Sequence, residues 1–376
     1  MRTNYINYRI IVIVIAVITY ANTVFSQTAP AHIGLIYPLS SNGKNAANYT
    51  NHFSLNIIAG VSKAETGVAI AGISNIIKDS ATRLQVAGFS NHIGSASHSA
   101  QFAGFMNQVK NSTSGSQIAG FMNLDGSMKG FQAAGYANFV KGDVDGTQIA
   151  GFMNTARSNT QAQVAGFGNF SGSAKAQIAG FMNKATEVNT QIGGFINIAK
   201  KVKGVQVGFI NIADSSACPI GVINIVKGGE KQVSLSIDES ATMIAAFKSG
   251  GRILYGILGV GYNLKDNPDP LYAIQAGIGA HSPQLFPHFR INVEAKNTFM
   301  TNLKSSAYYN RQSLGAYAAY SFGRFEIYAG PTFNYLETED GLGQDLVGHY
   351  IWSEHVRYNR FHAIYVGAAG GVQVRL

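Results

Sequence analysis

The heptad Gln-Ile-Ala-Gly-Phe-Met-Asn is written three times without change, at Gln117–Asn123, Gln148–Asn154 and Gln177–Asn183. Near copies surround it at Gln85–Asn91, Gln101–Asn107, Gln132–Asn138, Gln163–Asn169 and Gln191–Asn197. The glycines of successive copies run from Gly60 and Gly72 through Gly120 to Gly208 and Gly221, 12 to 16 residues apart. A period of about 15 is too short for helical repeats of roughly 30–45 residues. Short runs of Val, Ile, Phe and Gly, bounded by Ser, Thr, Asn and Asp, describe a strand followed by a turn.

Two arrangements fit one strand motif per 15 residues: a parallel β-solenoid with one coil per repeat, or an antiparallel meander. The solenoid is the expected one. Stacking identical positions at about 4.8 Å would set Gln on Gln, Phe on Phe and Asn on Asn. Strand alternation places Gln, Ala, Phe and Asn on one face and Ile, Gly and Met on the other. The third and fifth positions vary little, so Ala and Phe are expected inward, with Phe105, Phe121, Phe152, Phe167, Phe181 and Phe195 as the repeat core. Ile118, Met122, Ile149, Met153, Ile178 and Met182 would then form an outer contact stripe. The equal alternative buries that second face against loops or a neighbouring sheet.

Residues 1–26 carry Arg2, Arg9 and the apolar run Ile10–Ile18 before Val24, Phe25 and Ser26. This pattern predicts a secretory signal peptide cut after Ser26, because the apolar stretch is about half the roughly 20 residues of a spanning helix. The single Cys218 cannot form an internal disulfide, and it reads best as a small buried side chain. Charged residues are only 12% of the chain, and the net charge of +9 sits mainly in the array. Lys200, Lys201 and Lys203 exemplify its placement between heptads, which is the pattern of a solvated turn surface; weak affinity for anionic headgroups or glycans is the alternative. Export and the scarcity of aromatics among these basic residues argue against nucleic acid.

Tandem Gln-x-Ala-Gly-Phe-x-Asn units, preceded by Tyr37-Pro38-Leu39 and Asn42-Gly43-Lys44, resemble a bacterial family described as surface repeat-containing proteins. The resemblance covers about residues 30 to 230. It implies an exported cell-envelope protein and brings no catalytic residues with it.

After residue 230 the pattern changes to long alternating strands. In Leu285–Lys296 the odd positions are apolar and, Phe286 apart, the even ones are polar. Eight strands are expected near 231–238, 241–249, 252–262, 271–281, 285–296, 311–322, 324–336 and 360–376. Short connections on one side and long ones on the other suit an eight-stranded outer-membrane barrel, and the strand lengths suit a tilted span. A soluble β-sandwich is the alternative. Tyr255, Tyr262, Tyr272, Tyr320, Phe322, Tyr335 and Phe361 would form interfacial girdles, while Arg290, Glu294, Glu326 and Arg375 would plug the narrow interior as an ion-pair network.

The expected organisation is therefore all-β: a signal peptide (1–26), a β-repeat solenoid (27–230) and an antiparallel barrel-like domain (231–376). No catalytic, cofactor or metal site is expected. Asp143-Val-Asp-Gly146 lacks the downstream Glu of a calcium loop, and His349, Glu354, His355 and His362 follow no zinc spacing. The chain reads as a non-catalytic envelope protein, a structural or adhesive module carried with the barrel. Outer-membrane lipid is its expected partner, together with a glycan or protein on the repeat face, and the array is either periplasmic or surface-exposed. Two alternatives are a glycan-binding or glycan-cleaving solenoid and a wholly soluble exported repeat protein.

Overall fold

The computed structural model describes residues 27–376 apart from 252, 266–270, 305 and 357–358. The expected signal peptide lies outside the described residues. The fold is all-β, a parallel solenoid followed by a closed antiparallel barrel of eight strands. Two compact units divide the chain between Gly142 and Asp143, inside the repeat array.

In the first unit, Gln27–Ile36, Tyr49–Ala71, Ser74–Ala87, Ser90–Ala103, Met106–Ala119, Met122–Ala134 and Ala137–Val140 pair in parallel, each with the next. The register sets Asn75, Asn91, Asn107, Asn123 and Asn138 one above another. In the second unit, Val144–Ala150, Met153–Ala165, Gly168–Ala179, Met182–Gly193, Ile196–Val207, Ile210–Ile220 and Ile223–Val226 continue the same pattern. One bent strand makes each coil, and Gly-Phe is the corner between coils.

Identical positions stack because each coil supplies what its neighbour lacks. The Asn side chains of the motif are buried, and within each unit Nδ2 of one donates to the Oδ1 of the Asn one coil later, at 2.9 Å from Asn107 to Asn123 and from Asn183 to Asn197. The same Nδ2 also donates to a backbone carbonyl, Ile192 O for Asn183, which fixes the amide orientation. Gln runs the other way: Gln177 Nε2 donates back to Gln163 Oε1 at 2.9 Å, and Gln191 to Gln177 at 2.8 Å. Two amide ladders of opposite direction thus satisfy polar groups that burial would otherwise penalise. Glycine is required at the corner for space. A Cβ on Gly120 or Gly166 would lie 2.1 Å from the carbonyl oxygen of the glycine one coil earlier.

The inward set is Gln, Ala and Asn, and this corrects the expected core. Phe105 and Phe121 are half-exposed, whereas Phe152, Phe167, Phe181 and Phe195 are exposed. Strict alternation would turn Phe inward two residues after Ala. The Gly-Phe corner breaks that alternation, so the next inward residue after Ala is Asn, four positions on, and Phe lies outside.

The barrel strands are Lys231–Asp238, Thr242–Gly250, Leu254–Asn263, Tyr272–His281, Phe289–Thr301, Tyr309–Phe322, Phe325–Glu339 and Arg360–Arg375. Each pairs antiparallel with the next, and the first closes onto the last through Gln232–Asp238 and Ala369–Arg375. The long connection 340–359 holds the 3-10 turn Gln344–Leu346 and a short strand, Trp352–Val356, paired to the last barrel strand. Tyr262, Tyr272, Tyr320 and Phe322 face outward near strand ends, but Tyr255 and Phe361 turn into the barrel rather than joining a girdle.

Asn183→Ala removes an acceptor for Asn169 and leaves Asn197 Oδ1 and Ile192 O without a donor. Its expected cost is about 2–4 kcal/mol, seen in denaturant unfolding and in faster amide exchange of the flanking coils. Lys184→Ala on the exposed side of the same strand should stay within about 0.5 kcal/mol.

Candidate functional site

The outer surface of the repeats is the first place to look for a site. Ile118, Ile149 and Ile178 are 41%, 42% and 43% exposed, while Met122, Met153 and Met182 are half-buried between the corner and the inward Asn. The isoleucines of the expected stripe are therefore outside, and the phenylalanine column joins them there. Phe89, Phe105, Phe121 and Tyr136 form one stack and Phe152, Phe167, Phe181, Phe195 and Phe209 another, with centroids 4.8 to 5.7 Å apart and ring planes within 14°. Ring faces are taken by neighbouring rings, so only apolar edges point outward. Such a column cannot offer the free aromatic face on which a sugar ring stacks.

A second surface feature, within the second unit, is a trough of about 580 Å³ along successive coils. Asp143, Asn159, Ser173 and Glu187 line one side, and Asp145, Gln161, Lys175 and Asn189 the other. Asp143 Oδ1 accepts from Asn159 N at 3.0 Å and Asn159 Nδ2 at 3.1 Å; Asp145 Oδ1 accepts from Gln161 Nε2 at 3.2 Å. The two acids of the Asp-Val-Asp-Gly segment are thus bound to amides of the next coil. Lys203 pairs with Glu187 at 3.3 Å on the exposed surface.

Inside the barrel, charge fills the lumen in layers. Near the first and last strand ends, Glu326 receives Arg290 at 2.9 Å and Arg375 at 3.2 Å, and Arg290 also reaches Glu230 at 3.1 Å. Glu294 is held by Lys248 at 2.6 Å and Lys296 at 3.0 Å, with Tyr255 donating at 2.9 Å. Lys248 also lies over the Tyr328 ring, 4.4 Å from its centroid. At the other end Arg311 pairs with Asp238 and Glu239, and Leu346 from the long connection packs with Tyr309, Leu336 and Met300. The void beside Arg311, Gln275 and Tyr317 is about 20 Å³, room for about one water. The expected plug of Arg290, Glu294, Glu326 and Arg375 is present. Lys296, two residues from Glu294 on the same strand, joins it, and Lys248, Arg311 and Asp238 complete it; these last three were not apparent from strand alternation because they meet their partners across the barrel.

The histidines of the long connection do not converge. His355 lies 3.2 Å from the Gln344 amide, and His362 Nδ1 lies 2.6 Å from the Tyr335 hydroxyl. Among the described residues, no group of three or more His, Cys, Asp or Glu side chains is placed to hold a metal ion.

Asp125 lies in the strand Met122–Ala134. It stacks between Val109 and Val140 in the apolar column of the first unit and is buried. Burial in that setting pushes its carboxyl up to about 7, although Thr113, Gln117 and Gln132 all donate to it.

No protein family, curated protein or solved structure matches the chain.

Between pH 4 and 7 the folded chain keeps a proton on Asp125 that the unfolded chain has released, so stability falls as pH rises through that window and levels off above it. Asp125→Asn should flatten this slope and stabilise the first unit at pH 8 by roughly 2–4 kcal/mol. Denaturant melts of both proteins at pH 5 and 8 measure the difference, and parallel pH profiles would show that Asp125 does not titrate there.

Proposed function

We propose that the chain is a non-catalytic envelope protein, in which a plugged barrel seated in the outer membrane holds a β-solenoid as a structural or adhesive module. The observation that carries this reading is the inverted distribution of side chains in the barrel. Val233, Leu235, Ile237, Ile274, Val293, Leu314, Ile327, Phe333 and Val366 face outward and are 45% to 60% exposed or close to it. Lys248, Arg290, Glu294, Arg311 and Glu326 are buried within. A water-soluble barrel gains its stability from an apolar interior, whereas a lipid-facing one places its apolar side chains outside and satisfies polar groups within. Tyr262 with Tyr272 near one rim and Phe322 with Phe325 near the other suit the two interfaces.

Among the described residues no helix is long and apolar enough to cross a membrane, so on this reading crossing is by strands. The filled lumen makes the barrel an anchor rather than a channel. Lys231 and Arg375 lie at the same end as the tight turn Phe322–Phe325, which on this reading is periplasmic, and the final coil that leads into Lys231 meets the barrel at that end. The resemblance to surface repeat proteins bears on export.

A second reading rests on the polar trough. Two rows of hydrogen-bonding side chains along a groove of about 580 Å³ suit a glycan bound by its hydroxyls. Combined Gln161→Ala and Asn189→Ala should weaken retention on a glycan-coated matrix about tenfold; unchanged retention removes this reading.

For the leading proposal, the full chain should stay with membranes through carbonate extraction and shift in gel mobility on boiling. It should pass no ions above background in planar bilayers. Recovery in the soluble fraction would refute the anchor, and protease cleavage of the array in intact cells would place the repeats outside.

A further inference from the structure

The last three coils of the solenoid differ from the ones before them. In the second unit the position before the motif Asn reads Met153, Gly168 and Met182, and then Ile196, Ile210 and Ile223. The position after it reads Thr155, Phe170 and Lys184, and then Ile198, Ile212 and Ile225. Parallel pairing stacks Ile196 on Ile210 on Ile223, and Ile198 on Ile212 on Ile225. None of these isoleucines is buried, and Ile192, Phe195 and Phe209 beside them are exposed. Core packing does not call for these residues, because Ala199, Ala213 and Val226 already occupy the inward positions next to them.

Two further observations say what covers this face. An apolar groove of about 310 Å³, lined by Pro219, Ile220, Leu254, Ile278, Val293 and Leu314, joins the final coil to the outer wall of the barrel. Ile192, Val207 and Ile220 stack in register, so the column on the other side of the corner phenylalanines runs into this groove and onto the wall that faces lipid in the proposed function. Lysines edge it: Lys200 and Lys201 follow Ile198, and Lys227 follows Ile225, with Asp214 the one acid at the matching position after Ile212. A stripe of aliphatic side chains with cations at its border is the pattern of a surface lying in the headgroup and acyl boundary.

We infer that the last three coils rest on the membrane itself, in the leaflet at the solenoid end of the barrel. Ile198, Ile212 and Ile225 enter the acyl boundary, and Lys200, Lys201 and Lys227 meet anionic headgroups. The inference rests on the barrel being embedded. A fluid apolar phase suits a broad column of one residue type without pockets, and anionic lipid is the complement of its cationic edge.

The test uses full-length protein carrying Trp352→Phe, reconstituted in vesicles of phosphatidylethanolamine and phosphatidylglycerol whose acyl chains are brominated. Single tryptophans are introduced as Ile212→Trp on the stripe, Phe333→Trp on the barrel wall and Asn189→Trp in the polar trough. Quenching and blue-shifted emission are expected for Ile212→Trp and Phe333→Trp, and neither for Asn189→Trp. Adding Lys200→Glu and Lys227→Glu should lessen quenching at position 212 and leave that at 333 unchanged. If Phe333→Trp is quenched and Ile212→Trp is not, the barrel reading stands and the membrane-resting face is overturned. A shielded but unquenched Ile212→Trp in a protein of doubled mass would assign the face to a second copy of the chain. If neither tryptophan is quenched, the embedded barrel fails, and this inference fails with it.

Discussion

The hydrogen bond from one side-chain amide to the same amide in the next coil is the interaction on which the solenoid depends. It demands that coils repeat at about 4.8 Å, the spacing of adjacent strands, and that Gln and Asn recur in register while the intervening residues change in number. Loop lengths can therefore drift without loss of the stack. Because Asn donates toward the C-terminus and Gln toward the N-terminus, the two ladders oppose each other's dipoles. Corner glycines follow from the same spacing, since any side chain there would strike the preceding carbonyl.

A directional ladder must end on something. The last Asn of the array, Asn224, has no further coil to donate to, and its Nδ2 donates instead to Gly221 O at 2.8 Å and Ser249 O at 3.3 Å, while Ser249 Oγ accepts from Asn224 N at 3.0 Å. The second barrel strand thus closes the edge that parallel strands would leave open to further pairing. Gly256 makes the approach possible, since a Cβ there would sit 2.1 Å from Val222 O and 2.2 Å from Gly221 O. The Gln ladder ends less completely: Pro219 stands where the next Gln would be, and the buried Gln206 Oε1 has no partner. The barrel is therefore part of the solenoid's architecture as well as its proposed anchor.

Within the barrel the same requirement, that buried polar groups be paired, has a different solution. Glu294 carries two lysines and a tyrosine, and Glu326 carries two arginines. A buried carboxylate left with one partner fewer would be costly in so enclosed a space, which is why the lumen is knit from clusters rather than isolated pairs. Outward, the alternating apolar side chains of the described strands are largely exposed, and that asymmetry carries the functional proposal.

The repeat by itself determined a β-array of about 15 residues per unit and favoured the solenoid over a meander, because in-register stacking makes use of identical residues at every turn; the parallel pairing itself is a fact of the tertiary structure. Period-two alternation likewise determined the eight strands of the second domain and the charged residues of its interior, since a strand's faces are set by parity alone; the apolar cluster around Ile257, Met300 and Leu336 at one end of that interior is a fact of the closed sheet. Tertiary structure decided what parity cannot express. The Gly-Phe corner rotated Phe152 and Phe181 to the outside and left Gln, Ala and Asn as the core, because a bend resets which face a side chain occupies. Lys248 came to Glu294, and Asp238 to Arg311, only when the sheet closed, and Asp125 acquired its raised carboxyl pKa only when valines of adjacent coils enclosed it. Partners that meet across space leave no trace in local spacing, whereas stacked repeats write their contacts directly into the period.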